Sequence, residues 1–220
     1  MHIYEGILTA TPAGQGVLLA GTVAAAAGTM IGLRRLDEEQ IPKAAVLGSA
    51  FFVVSAIQVP MFGSSVHLVL SGLMGLVLGW AVFPTVLVGL ILQFAFFSIA
   101  GPTVLGINTL IMALPGVICH YLLRSAARSH DRWEIFASGF LAGSWAILLG
   151  ALLSSVALTL AGNSFVLLAG VFLTAHIPIA GIEGLVTGSV VVLLRQVRPE
   201  ILHAPPLTPL AQEVGNEWMV

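Results

Sequence analysis

Long apolar stretches follow one another along most of the 220-residue chain, and short polar segments separate them. A helix rises about 1.5 Å per residue, so about 20 apolar residues cross the hydrocarbon core of a bilayer. Charged residues make up only 8% of the chain, whereas soluble domains contain roughly a quarter. So few charges cannot cover a surface that faces water. The sequence therefore predicts an all-α membrane protein with the lipid bilayer as its solvent.

Seven apolar segments can be read in order, and they predict seven transmembrane helices. They cover about 13–33, 44–59, 68–82, 84–100, 101–123, 135–160 and 161–194. The third and fourth segments are predicted to meet in a turn at Pro84. Residues 1–200 thus form one transmembrane domain, and the Pro-rich residues 201–220 are predicted to be a flexible cytoplasmic tail.

The basic residues indicate the orientation of these helices. All eight follow the first, fifth or seventh segment: Arg34, Arg35, Lys43, Arg124, Arg128, Arg132, Arg195 and Arg198. With seven spans they share one side, which the positive-inside rule assigns to the cytoplasm, whereas six spans would divide them between the two sides. The N-terminus is therefore expected outside and the C-terminus inside. No basic residue precedes Arg34, so no cleaved signal peptide is expected and Met1 is predicted to be the mature N-terminus.

The first two residues offer an unusual set of metal donors. A free α-amine at Met1, the backbone amide of His2 and its imidazole can form fused chelate rings in one plane once the amide loses its proton. A fourth position in that plane remains, and His67 could fill it. Planar nitrogen coordination suits Ni²⁺ or Cu²⁺, and imidazole also suits Co²⁺ and Zn²⁺. On the residues alone, His67 could equally be a loop histidine at the membrane interface, because two histidines without cysteine are a sparse ligand set.

Several other polar residues fall at membrane depth, where each needs a partner or a role. Glu5 and Asn108 belong, with the two histidines, to the outer half of the predicted topology, as expected for a site open to the outside. His176 and Glu183 are seven residues apart and share one face of the last helix. They are interpreted either as a supporting or gating pair or as a structural hydrogen bond.

Four segments of the chain resemble motifs of one protein family, in the same order. They are MHIYEGIL, VPMFGSSVHL, LGINTLIMALPG and AHIPIAGIEGLVTGSVVVLLRQVRPE. The family is CbiM/NikM, the substrate-binding S-components of energy-coupling-factor (ECF) transporters for cobalt and nickel. The resemblance runs from Met1 to Glu200. It departs from the family at FGSSV, which is shorter than usual before His67, and at Ile7, where an aromatic residue is usual.

The resemblance implies that residues 1–12 enter an outward-facing pocket and bind the transported ion. The implied ligands are the Met1 amine, the His2 nitrogens and His67. Asn108 and Glu5 would help to hold the segment. The transported substrate would be Co²⁺ or Ni²⁺, with no bound cofactor.

The partners are likewise implied by the resemblance. No GxxxxGK[ST] motif occurs, so ATP is expected to bind to separate subunits. The family implies two ATPase subunits, one transmembrane coupling subunit and sometimes a small accessory membrane subunit, in the bacterial inner membrane. The chain itself would not be an enzyme. A net charge of −2 without basic runs gives no indication of a nucleic-acid partner.

Two other functions are weighed against transport. An intramembrane metalloenzyme would need a pairing such as HExxH, which is absent from the sequence. A passive channel would need a hydrated path, for which one or two polar groups per helix are too few.

The topology can be tested with reporter fusions. We expect a reporter at Met1 to be active outside and a reporter at Val220 to be active in the cytoplasm. Fusions that place both termini on the same side would contradict the seven-span topology.

Overall fold

A computed structural model describes residues 2–4, 6–61 and 64–205 of the chain. Within these residues lie seven α-helices: α1 Pro12–Arg35, α2 Gln40–Ala56, α3 Ser71–Leu78, α4 Val82–Phe97, α5 Leu105–Leu123, α6 Arg132–Ala161 and α7 Val166–Val197. Two short antiparallel strands, β1 Val59–Met61 and β2 Ser64–Val66, form a hairpin between α2 and α3. The predicted helical class is confirmed.

Within the part of the chain that the structure describes, five stretches are long and apolar enough to cross a membrane. They are Pro12–Arg35, Ser71–Phe97, Pro102–Leu123, Arg132–Ala161 and Val166–Val197. Helix α2 is also apolar but has only 17 residues. The chain is thus a multi-pass membrane protein, while the count of seven spans and the side on which each terminus lies stay predictions.

The stretch Ser71–Phe97 is broken at Gly79, which has a φ of +55°. Only glycine adopts such a conformation without strain. The predicted turn at Pro84 is therefore wrong in position by five residues. Pro84 instead lies in the first turn of α4, where the missing N–H of proline costs no helical hydrogen bond.

The chain reverses direction at this break. In α3, Gly75 lies against Gly116 of α5, and Gly79 lies against His120, so α3 and α5 run in parallel.

Helices α1 and α5 also run in parallel. Gly21 lies against Ile107, and fourteen residues further along both helices Arg35 donates a hydrogen bond to Tyr121.

Helix α4 runs the other way. Its start packs on the end of α1, where Gly32 meets Trp80 and Pro84. Near its end, by contrast, Gln93 donates to Ser55 near the end of α2, the helix that returns from the end of α1. Helices α3 and α4 are therefore antiparallel and do not form one continuous span.

Helix α3 is a half-length helix, since its eight residues span only about 12 Å. Between α2 and the start of α3, the described residues 57–61 and 64–70 are not helical. Non-helical backbone is tolerated at membrane depth only where protein or water satisfies its polar groups. Residues 57–70 are the part of the fold that carries His67.

We call the end of the bundle where α1, α5 and α7 begin the histidine end, and the opposite end the arginine end. At the arginine end, the buried Arg195 donates hydrogen bonds to the carbonyl oxygens of Arg128, Ser129 and Pro205. Arg128 in turn donates to the carbonyl of Leu202. Residues 201–205, predicted as the start of the flexible tail, are thus packed against the bundle, and residues 206–220 lie outside the described residues.

The crossing of α3 and α5 gives a test of the packing. A Cβ atom added at Gly75 would lie 2.0 Å from the carbonyl oxygen of Gly116, which is backbone and cannot move aside. We expect Gly75→Ala to destabilise the protein by about 1–3 kcal/mol, measured as a lower Tm in detergent. Gly181→Ala is the matched control, since nothing lies within 4 Å of its added Cβ. Equal Tm values for the two variants would contradict this packing.

Candidate metal centre

The N-terminal segment folds back onto the histidine end of the bundle. Ile3 and Leu8 are fully buried. Thr11 caps α1 by accepting the N–H of Gly14 at 2.9 Å, and its hydroxyl donates to the carbonyl of Ala161 at the end of α6 at 2.7 Å. The segment is therefore fixed at its helical end.

Asn108 of α5 holds the other end of the segment. Its side-chain oxygen accepts the N–H of Ile3, and its side-chain NH₂ donates to the carbonyl of Ile3, both at 3.0 Å. The carboxamide thus pairs with the backbone as a neighbouring β-strand would. Asn108 is completely buried, where unpaired backbone groups would be costly. This pairing fixes the position of the residue next to His2.

Tyr4 links the segment to the chain before the hairpin. Its hydroxyl donates to the side-chain oxygen of Gln58 at 3.1 Å. Gln58 directly precedes β1, and His67 directly follows β2. The segment that carries His2 and the connection that carries His67 are therefore in direct contact.

His2 and His67 lie with their rings stacked. The ring centroids are 4.8 Å apart and the ring planes differ by 30°, although the two residues are 65 positions apart. Both side chains are buried. Neither ring nitrogen of His2 has a hydrogen-bond partner among the described residues. Buried polar atoms without partners are rare in folded proteins, and here they belong to a residue type that readily binds metals.

The hydrogen bond of His67 defines its tautomer. Its Nδ1 lies 3.0 Å from the carbonyl oxygen of Leu68, so Nδ1 carries the proton and donates it. The lone pair that can bind a metal therefore lies on Nε2. A backbone carbonyl in this role orients the ring and raises its basicity as a ligand.

Glu183 of α7 positions the connection just after His67. Its carboxylate accepts the N–H of Val69 at 3.0 Å, and both groups are completely buried. Leu70 follows in the left-handed region with a φ of 58° and leads directly into α3. The carboxylate on α7 thus accepts a backbone N–H that lies outside the helices and strands and has no regular partner there.

His176 lies seven residues before Glu183, about two turns along α7, and is also buried. Its Nδ1 donates to the carbonyl of Phe172 at 2.7 Å, which leaves the lone pair on Nε2. Its Nε2 has no hydrogen-bond partner within the described part of the chain. Among the described residues, His176 is thus a second buried histidine with an unpartnered ring nitrogen, on the helix whose Glu183 holds Val69.

Burial keeps both stacked histidines neutral. It lowers the pKa of His2 and of His67 well below the ordinary value of 6.5. The positive charge that His2 would carry lowers the pKa of His67 further. Since only neutral imidazole coordinates a metal, both rings are in their ligand form at neutral pH.

Seven site residues are predicted, and the structure describes five of them. Asn108 pairs with Ile3 of the docked segment, His67 stacks on His2, and Glu183 holds Val69 beside His67. His176 lies on the same helix as Glu183, whereas Met1 and Glu5 lie outside the described residues. No three His, Cys, Asp or Glu side chains converge as a metal site in the ranges 2–4, 6–61 and 64–205. Side chains alone therefore offer a pair of imidazoles, and further donors would have to be backbone or terminal nitrogens. No sequence pattern predicts the bonds from Tyr4 to Gln58 and from Val69 to Glu183.

Two buried, stacked and neutral imidazoles in a multi-pass helical membrane protein are suited to binding a transition-metal ion. The comparisons agree with this class. Residues 2–201 match the family CbiM, described as the cobalt uptake substrate-specific transmembrane region. The chain belongs to this family.

Relatives of known description cover nearly the whole chain. A protein of Haemophilus influenzae, provisionally named a metal transport protein, is 42% identical over 207 residues, which are 92% of this chain and 97% of that protein. The fused nickel transport protein NikMN of Rhodobacter capsulatus is 32% identical over 97% of this chain and 67% of its own length. The crystal structure of a truncated transition metal transporter has a TM-score of 0.71 at 22% identity, covering 88% of this chain and 98% of that one. This structure shares the fold.

The pairing of Asn108 with Ile3 can be tested directly. Asn108→Leu keeps the size of the side chain but leaves two buried backbone groups of Ile3 unpaired, at about 1–3 kcal/mol each. We expect the N-terminal segment to undock, so that amide hydrogen exchange of residues 2–11 becomes much faster without loss of the helices.

Thr109→Val is the matched control for Asn108→Leu. Thr109 is equally buried, but its hydroxyl bonds only within its own helix, to Leu105. Equal exchange of residues 2–11 in the two variants would show that Asn108 does not hold the segment.

Proposed function

We propose that this chain is the subunit of an ATP-driven importer that captures a divalent transition-metal ion, Co²⁺ or Ni²⁺, through nitrogen donors of its N-terminus and His67. The observation that carries the proposal is the stacked pair of buried, neutral imidazoles at the docked N-terminal segment. Family membership supports cobalt or nickel as the transported substrate. We propose no resident cofactor.

The proposed ligands are the Met1 amine, the amide and imidazole nitrogens of His2, and Nε2 of His67. The first three belong to adjacent positions in the chain, so they form fused five- and six-membered chelate rings. His67 completes the set from a different part of the fold. A ring tautomer fixed by the carbonyl of Leu68 prepares the nitrogen that the ion needs.

The supporting groups would act by holding backbone in place. Asn108 fixes Ile3, which adjoins His2. Glu183 fixes Val69, which is two residues after His67. We propose that the lone pair on Nε2 of His176 receives the ion when the segment opens. We propose Glu5 as a further contact of the segment.

Import would require energy from other proteins. We propose two ATPase subunits, a transmembrane coupling subunit and, in some assemblies, a small accessory membrane subunit, acting in the bacterial inner membrane. The coupling subunit would convert ATP hydrolysis into a movement that opens the docked segment. In this scheme the chain binds and releases the ion without catalysing a reaction.

The competing function, an intramembrane metalloenzyme, has less support. A hydrolytic metal site keeps one open position for water beside a general base. Glu183 is the buried carboxylate nearest the histidines along α7, but it is bonded to the N–H of Val69. One of its oxygens thus positions the backbone beside His67, and the other has no hydrogen-bond partner among the described residues.

Adding one residue before Met1 should abolish high-affinity metal binding. The extension converts the α-amine to an amide, which is neither basic nor able to anchor the chelate. Without an amine to anchor the ion, the metal no longer assists deprotonation of the His2 amide. Several nitrogen donors are therefore lost together. The measurement is bound Co²⁺ and Ni²⁺ per protein after exhaustive dialysis. The same extension after Val220 is the control, and we expect full binding there.

Two outcomes separate the parts of this proposal. If the N-terminally extended protein binds as well as the native one, the amine is not a ligand. His67→Ala tests the fourth donor, and unchanged metal content in that variant would remove His67 from the site.

The pH dependence of binding should reflect the lowered pKa values of the histidines. Between pH 6 and 7, metal binding displaces one proton from the amine, whose ordinary pKa is about 7.7–8.0, and one from the His2 amide. The imidazoles contribute little, because burial has already made them neutral in the docked segment. We therefore expect log Kd to rise by about two for each unit by which the pH falls. This slope should become steeper only well below pH 6.5.

The measurement is isothermal titration of Ni²⁺ at several pH values in weakly coordinating buffers. Imidazoles with ordinary pKa values near 6.5 would add about half a proton each in this range. A slope near three between pH 6 and 7 would therefore contradict the burial of the histidine pair.

A further inference from the structure

The arginine end of the bundle contains a cavity of about 410 Å³ that has no part in the proposed metal site. It lies between the end of α1, the turn that joins α3 to α4, and the end of α5. Its polar lining is almost entirely basic or aromatic: Arg35, Trp80, His120, Tyr121, Arg124 and Arg128. We call it the basic cavity.

The positive charge of the basic cavity is not balanced by carboxylates. Among the described residues the one ion pair joins Arg198 to Glu200. Arg35, Arg124 and Arg128 therefore face one cavity without a carboxylate at ion-pair distance in the described part of the chain. Three guanidinium groups at one site are typical of phosphate recognition, because each presents a planar fork of N–H donors.

The arginines are held in place by neutral groups, each through a single hydrogen bond. Arg35 donates to the hydroxyl of Tyr121 at 3.0 Å, and Arg124 donates to Nε2 of His120 at 3.2 Å. Arg128 donates to the carbonyl of Leu202 at 2.9 Å. A guanidinium has five N–H donors, so most of them are available to an anion.

Aromatic residues complete the binding surface. The indole N–H of Trp80 donates to the hydroxyl of Tyr121 at 2.9 Å, and the Arg35 guanidinium lies 5.8 Å from the centre of the Trp80 ring. Trp and Tyr with basic residues at the ends of membrane helices mark the level of the lipid headgroups. The phosphate groups at this level belong to phospholipids.

The basic character of the cavity also affects Arg128. Burial and the nearby charge of Arg124 lower the pKa of Arg128. An anion between these two side chains would relieve both effects. Val77 and Leu78 of α3 provide an apolar wall beside them, which suits the glycerol and upper acyl chain of a lipid better than a free phosphate ion.

We propose that the basic cavity binds the phosphate group of an anionic phospholipid such as phosphatidylglycerol. The bound lipid would neutralise the arginines and join the ends of α1 and α5 to the turn between α3 and α4. Basic pockets between helices at a membrane surface are known to bind anionic headgroups in this way.

Native mass spectrometry of the full chain tests this proposal. We would add phosphatidylglycerol, phosphatidylethanolamine or inorganic phosphate to the delipidated protein and compare the fraction bound. We expect retention of phosphatidylglycerol over the other two. Arg35→Gln with Arg124→Gln should weaken its binding about 25-fold, since each basic side chain contributes about fivefold near an anionic lipid.

The control variant is Arg198→Gln, which removes one charge from the same end of the bundle but from an existing ion pair. It should bind lipid as the wild type does. Arg35→Lys with Arg124→Lys keeps the charge and should retain most of the binding, which separates loss of charge from loss of fold. All variants should keep the wild-type Tm within a few degrees.

Four results would overturn the proposal. They are equal binding of both lipids by the wild type, equal loss in the Arg198→Gln control, and displacement of the lipid by millimolar inorganic phosphate. The fourth is unchanged lipid binding in the double Gln variant together with lost co-purification of a coupling subunit, which would make the cavity a protein-docking surface.

Discussion

Inside a bilayer, every backbone N–H and C=O that is not in a helix must find a partner within the protein. The two proposed histidine ligands lie in non-helical segments near the histidine end, described over residues 2–4 and 6–11 and over residues 57–61 and 64–70. Each is held by one buried side chain from a continuous helix. Asn108 pairs with both backbone groups of Ile3, and Glu183 accepts the N–H of Val69. The position of each proposed ligand follows from these bonds, since His2 adjoins Ile3 and His67 is two residues before Val69.

This arrangement explains how a chain with 8% charged residues can present a metal site. The two proposed histidine ligands are uncharged at neutral pH, so burying their side chains does not bury a charge on either ring. A carboxylate-rich site at this depth would cost far more to desolvate. The same constraint links binding to movement. Undocking the N-terminal segment would expose the donors and break the pairing with Asn108 in one step, so we expect capture and release of the ion to be coupled to docking.

Much of the architecture follows from hydropathy, because the bilayer dictates long apolar helices. The break at Gly79 does not. The chain has 24 glycines, and only the packing of α3 against Gly116 and His120 of α5 distinguishes this one. Likewise, Val69 and Glu183 are 114 residues apart, and no local pattern connects them. The first two residues were informative because their chemistry is local, as the amine, the amide and the imidazole are covalently adjacent. The residues alone made His67 a candidate fourth ligand and placed Asn108 in the same half of the topology, but their contacts with the N-terminal segment depend on tertiary structure that no local pattern reveals.

The coordination of the ion is the central claim, and X-ray absorption at the nickel edge measures it most directly. The sample would be the full chain with its native Met1, loaded with one equivalent of Ni²⁺, beside the His67→Ala variant. The account predicts a four-coordinate planar ion with nitrogen donors only and with scattering from two imidazole rings, reduced to one ring in the variant. A six-coordinate ion rich in oxygen donors, or a spectrum unchanged by His67→Ala, would contradict it.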